Sequence, residues 1–202
     1  MASHVQAVFD DADQFVQQMG LWNWQGRVSQ IARGDFRVAL QMVGDDRGRV
    51  VRTLHNVANL RDIQTPSGKR TFGLVIPEEA TNTWCGRSFD RAILQMMPQS
   101  DYVGSNGGGH LGYQMAFPDT VVEEAYASLE RPGLLDKGPV RVELDPNRAR
   151  TIASWIDRNW FGADPNELRG AADGTLTMLL EAFSDAPVRA HAPPESRRKA
   201  VA

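Results

Sequence analysis

The sequence predicts a mainly β protein with added α structure, a jelly-roll barrel followed by a two-helix hairpin. Three observations predict it. Between Trp22 and Leu144, short runs of β-branched, aromatic and alternating residues recur at close intervals. Turn chemistry separates them, at Gly44-Asp45-Asp46, at Thr65-Pro66-Ser67-Gly68 and from Gly104 to Gly109. After Asp145-Pro146 the apolar period lengthens to that of a helix.

The first element is a lead-in segment, residues 1–21. From Asp10 to Met19 a short helix is expected: Val8, Phe15, Val16 and Met19 recur at about helical spacing, and Asp10, Asp11 and Asp13 stand where a helix start favours negative charge. Residues 22–144 form the β domain. Its expected strands are Gly26 to Ile31, Asp35 to Val43, Arg49 to Val57, Arg70 to Ile76, Thr81 to Cys85, Ala92 to Met96, Gly112 to Ala116 and Val140 to Glu143, the eight that a jelly roll requires. An inserted helix is expected over about residues 117–130, with Pro118 in its first turn and Asp119 as early negative charge.

Residues 145–185 read as a helical hairpin. Ile152, Trp155, Ile156 and Trp160 share one face of the first helix, and Gly162 to Pro165 break it. The second helix carries Leu168, Ala172, Leu176, Leu179, Leu180 and Phe183. If the first helix covers the barrel, the row Leu168, Leu176, Leu179 and Phe183 is left for a partner chain, and a two-fold homodimer is the expected assembly. From residue 186 to 202 the chain turns to proline and basic residues without an apolar face, which reads as a linker.

Composition narrows the function. The 202 residues carry a net charge of −3 with 42% hydrophobic content, enough apolar material for one sizeable core but no cationic excess for phosphates of DNA. The single Cys85 excludes an internal disulfide framework and a zinc site of several thiolates, and fits a reducing compartment. The start, with three aspartates before Phe15, does not resemble a signal sequence, and no apolar run reaches the length of a membrane span. A cytoplasmic protein without membrane contact is expected.

Candidate sites follow from side-chain chemistry. His4, His55, His110 and His191 are scattered, so no catalytic metal and no cofactor are expected. His55 reads as a strand residue and His110 as a loop residue after Gly107-Gly108-Gly109, a stretch that lacks the Lys-Ser/Thr of a phosphate-binding loop. No Gly-x-Ser-x-Gly elbow anchors hydrolase chemistry, so no catalytic residue is expected.

The sharpest candidate is Arg33-Gly34-Asp35-Phe36-Arg37, preceded by Trp22, Trp24 and Arg27. Two forked guanidiniums flanking an acid can grip phosphates and guanine edges while a ring or guanidinium plane stacks on a base. The spacing resembles the Arg-x-x-x-Arg element by which PilZ domains bind cyclic di-GMP, although that family's second element has no match. The resemblance implies cyclic di-GMP as effector, with phosphate on Arg33 and Arg37, Asp35 orienting and Trp22 or Trp24 stacking. The alternative is a solvated surface on which the arginines pair with Asp35 or Asp45 and the tryptophans are packing. A second set with the same spacing is Arg87 and Arg91 beside Trp84.

The order of elements, with Gln30-Ile-Ala-Arg-Gly-Asp-Phe-Arg-Val-Ala-Leu, Thr71-Phe-Gly-Leu-Val-Ile-Pro and Thr83-Trp-Cys-Gly-Arg, resembles the amino-terminal regulatory half of AraC-type transcription regulators, over roughly residues 10–185. That resemblance implies a cupin-like barrel holding a small effector, a helix pair that dimerises, and DNA binding by a separate helix-turn-helix domain for which residues 186–202 leave no room. Sugars and aromatic acids are then alternative effectors, and a metal-dependent cupin enzyme is the rival class.

Overall fold

The computed structural model describes residues 3–21, 24–77, 82–84, 87–97, 101–128, 140–164, 167–185 and 189–190. In chain order the elements are β1 (Ser3–Phe9), α1 (Ala12–Gly20), β2 (Gln25–Gln30), β3 (Val38–Gly44), β4 (Arg49–His55), β5 (Asn59–Gln64), β6 (Lys69–Pro77), β7 (Asn82–Trp84), β8 (Arg87–Phe89), β9 (Ile93–Met96), β10 (Asp101–Asn106) and β11 (His110–Pro118). There follow α2 (Asp119–Ala127), β12 (Val140–Glu143), α3 (Pro146–Ile156), a π-helical turn (Asp157–Phe161), α4 (Leu168–Asp185) and β13 (Arg189–Ala190).

The strands form two antiparallel sheets. The large one runs β1-β3-β4-β11-β6-β9-β12-β13, and the small one β2-β5-β10-β7-β8. They stack as a jelly-roll-like β-sandwich; α2, α3, the π-helical turn and α4 cover the outer face of the large sheet, while α1 packs its Phe15 and Met19 into the inner core. Strand alternation divides the large sheet between two cores. Val50, Phe72, Leu74, Leu94, Tyr113, Met115 and Phe117 point to the helices and meet Ile152, Trp160, Leu176, Leu179 and Phe183. Val38, Leu40, Met42, Val51 and Ile93 point inward and meet Phe15, Trp24, Ile63, Trp84 and Phe89.

Local signals explain the helix ends. Asp11 caps α1 by accepting from the Gln14 amide at 2.9 Å, and Asp145 caps α3 by accepting from the Asn147 amide at 2.8 Å, with Pro146 in its first turn. The indole of Trp160 donates to Thr175 at 2.8 Å, which ties the π-helical turn to α4 inside the apolar layer. Gly48 allows the β3–β4 turn to lie on Phe117: a Cβ there would come within 2.6 Å of that ring.

Several expectations change. The lead-in is not helical throughout: Ser3–Phe9 is an edge strand paired with β3, its alternation placing Phe9 inside while Val8, counted toward a helix, is exposed. The sandwich also contains β5, β8 and β10, which the sequence did not suggest, so eight strands underestimates it. His110 does not sit in a loop but begins the central strand β11. The row Leu168, Leu176, Leu179 and Phe183 is not free for a partner chain: all four side chains are buried in the chain's own helix-side core, because α4 lies against β9 and β12 as well as α2 and α3. In the segment read as a linker, Arg189–Ala190 pairs with Val140 and Arg141; the rest of 186–202 lies outside the described residues.

Candidate functional site

The inner face of the large sheet is not apolar along its whole length. Where β4, β11, β6 and β9 cross the centre of the sandwich, the inward positions are Thr53 and His55, His110, Gly112 and Gln114, Gly73, and Gln95. Opposite them the small sheet supplies Arg61, Thr83, Trp84, Gly104 and Asn106. Glycines at 73, 104 and 112 withhold side chains from both walls. The result is a narrow cavity of about 30 Å³ between the sheets.

One wall is a buried cationic network. The Arg61 guanidinium approaches Nε2 of His55 at 2.6 Å and Nε2 of His110 at 3.1 Å, and its Nε donates to Asn59 Oδ1 at 2.9 Å. The two imidazoles stack with centroids 4.7 Å apart and planes within 4°. Since a guanidinium only donates, both Nε2 atoms act as acceptors, which requires neutral rings. Nδ1 of His110 donates to the Gly107 carbonyl at 3.0 Å, fixing its tautomer. Burial and the Arg61 charge push His110 down to about 3, and the same causes hold His55 well below the usual imidazole range. With its side-chain oxygen turned inward, Asn106 accepts from the Arg61 guanidinium, at 3.2 Å from Nε.

The rest of the large-sheet wall is less satisfied. Gln95 and Gln114 are both buried, and neither side-chain oxygen has a hydrogen-bond partner. Two acceptors aimed into one cavity without partners form a place where a ligand hydroxyl or N–H gains what water would supply. Arg61 occupies the imidazole nitrogens that a metal would need, and among the described residues no three metal-ligating side chains converge.

The sequence-derived candidates occupy other places. Arg33, Asp35 and Arg37 lie exposed on the turn between β2 and β3, and among the described residues none of them pairs with an acid or base. In particular the suggested partner Asp45 instead holds its own turn, accepting from the amides of Arg47 and Gly48. The turn is fixed by its neighbours. Gln30 Nε2 donates to the carbonyls of Ala32 and Gly34, each at 2.6 Å, and Asn56 Oδ1 accepts from the Arg37 amide at 2.7 Å while its Nδ2 donates to the Asp35 carbonyl. Gly34 takes φ +123°, which side-chain-bearing residues rarely adopt. Arg27 is exposed on β2.

The tryptophans are not at this surface. Trp24 is buried in the inner core, so stacking on a ligand at Arg33 is closed to it in this arrangement; Trp22 lies outside the described residues. Trp84 is buried against the cavity and Arg91 is exposed ahead of β9, so these two do not share a surface; Arg87 lies in β8. The Arg61, His55 and His110 network escaped sequence reading. Its signal is present as His55-x-x-x-Asn59-x-Arg61, polar residues at the inward positions of two strands.

The fold is a β-sandwich with a helix layer and a small, partly polar cavity between the sheets. No family model matches the chain, and no curated protein does. Among solved structures the chain is similar to the crystal structure of the AraC-like transcriptional activator CuxR, with a TM-score of 0.60 at 11% identity, over 96% of this chain and 73% of that one. At that identity the likeness is one of fold. Among the described residues no helix is long and apolar enough to cross a membrane.

Proposed function

We propose that this chain is the effector-binding regulatory part of an AraC-type transcription regulator and not an enzyme. The observation that carries the reading is the shared fold with CuxR over nearly the whole chain, since helix layer and sandwich match together. DNA would be contacted by a helix-turn-helix unit distinct from residues 1–185, and the working form would be a homodimer. Its contact lies elsewhere than on Leu168, Leu176, Leu179 and Phe183, which are core.

Cyclic di-GMP is the proposed effector, held at the fixed turn by the unpaired forks of Arg33 and Arg37, with Arg27 adding charge and Asp35 orienting a base edge. With Trp24 buried, stacking falls to a guanidinium plane or to Trp22. Calorimetric titration with cyclic di-GMP, with GTP and a simple sugar as controls, tests this. Cyclic di-GMP binding that the folded Arg33→Ala/Arg37→Ala variant loses supports it; no heat, or unchanged affinity in that variant, ends it.

A second reading, a small sugar or aromatic acid between the sheets, is favoured by the unpartnered oxygens of Gln95 and Gln114. Either ligand acts only by binding one arrangement of the molecule better than another. A route from the cavity to the helices exists in β11: Gln114 faces the cavity, and the adjacent Tyr113 donates to Asp157 at 3.0 Å, which also binds Arg52 at 2.9 Å.

A further inference from the structure

The inner face of the large sheet carries a second polar group beyond the cavity. In the strand register Ala116 of β11 stands between Arg49 of β4 and Thr71 of β6, and Lys69 of β6 lies opposite Pro118. Val50 and Phe72 point to the helix-side core, so alternation turns Arg49, Thr71 and Lys69 to the sandwich side, in line with Gly73 and Gln114. Ala116 fills the place between them with only a methyl group.

Among the described residues, the Thr71 hydroxyl and the Arg49 Nε lack the partner that their burial calls for. Thr71 is 1% exposed and its hydroxyl has none; the Nε of Arg49 is equally enclosed and equally unpartnered. Arg49 and Lys69 are half-buried, and no described carboxylate pairs with either. The acids at this end are engaged: Asp119 lies 3.6 Å from Arg70, Asp173 lies 2.6 Å from Arg47, and Asp45 accepts from its own turn. Burial lowers the pKa of both cations, and Arg49 lowers that of Lys69 further, so the two like charges lie close enough to repel.

The geometry points to an oxyanion site at Arg49, Lys69 and Thr71 that takes the carboxylate or phosphate of a small organic acid. The guanidinium offers a fork, the ammonium a point charge and the threonine a hydroxyl donor, a complete set for one oxyanion. Gln114 lies two residues from Ala116 on the same face, about 7 Å away, so the body of such an acid reaches the cavity while its charged end stays at the cations. The site stands independently of the transcription reading and of Arg33 and Arg37.

The test is isotope-edited NMR of the Thr71 and Ala116 methyl signals during titration with sodium phosphate and, separately, sodium benzoate, each against sodium chloride at equal ionic strength. A saturable shift with either anion is expected; phosphate alone identifies a phosphate ligand and benzoate alone a carboxylate. Lys69→Met and Arg49→Met should each weaken that binding roughly tenfold, while Arg169→Gln, at an exposed position of α4, leaves it unchanged. If Arg49→Met fails to fold, Lys69→Met decides alone, and it should raise Tm without anion because it removes one of two facing charges. The proposal is overturned if neither anion gives a saturable shift at tens of millimolar, or if Lys69→Met binds like the wild type.

Discussion

The two faces of β11 are built from opposite chemistry. Toward the helices the strand presents Leu111, Tyr113, Met115 and Phe117; toward the small sheet it presents His110, Gly112, Gln114 and Ala116. The first set fills an apolar layer with α3 and α4. The second leaves space, buried histidines and an unpartnered amide oxygen. A strand needed only for stability would carry apolar residues on both sides, since each buried polar group must at least recover the hydrogen bonds it had in water. The contrast assigns stability to the helix side and recognition to the sandwich side.

The contrast can be broken most forcefully on the helix side. Phe183→Ala should lower unfolding free energy by about 3–5 kcal/mol, read by urea denaturation, because the ring is enclosed between α4 and Phe72. Arg61→Leu comes next, at about 2–4 kcal/mol, since it strips two imidazoles and Asn59 of their donor without replacing it. A loss near zero there would mean that the network adds nothing to the fold.

Acid should act through the same network. His55 and His110 have folded pKa values below the unfolded one, so the unfolded chain takes up protons first. Their contribution is fully present above about pH 6.5 and is lost as pH falls, for His110 down to about 3, with a slope reaching about 1.4 kcal/mol per pH unit for each ring. Urea midpoints across that window should fall for the wild type. In His110→Gln the fall should be shallower. The smallest stability effect belongs to Arg33→Ala/Arg37→Ala, within about 0.5 kcal/mol, because both side chains are exposed and unpaired.

Much of this was legible in the sequence, and the gaps have physical causes. β3, β4, β6, β9 and β12 announce themselves by apolar residues and by the turns between them, and the hairpin after Asp145 by helical period and Pro146. β5 does not, because its inward positions are Asn59, Arg61 and Ile63, so buried polar residues disguise the alternation. β10 contains Gly104, which reads as a turn residue although it pairs with Arg61 and Trp84 across the sheet. The leucine row of α4 was visible as apolar but not as inward, since periodicity shows a face and not what covers it. His55, Arg61 and His110 come together only through the pairing of β4 with β11 and the stacking of the sheets, which no local pattern encodes.

The division of labour across β11 is tested most directly by urea unfolding of Gln114→Leu. The substitution is close in volume and removes an acceptor that the fold leaves unpaired. Stability equal to or above that of the wild type is expected, showing that the glutamine is kept for something other than the fold. A loss of about 2 kcal/mol or more would contradict this and make Gln114 part of the structural core.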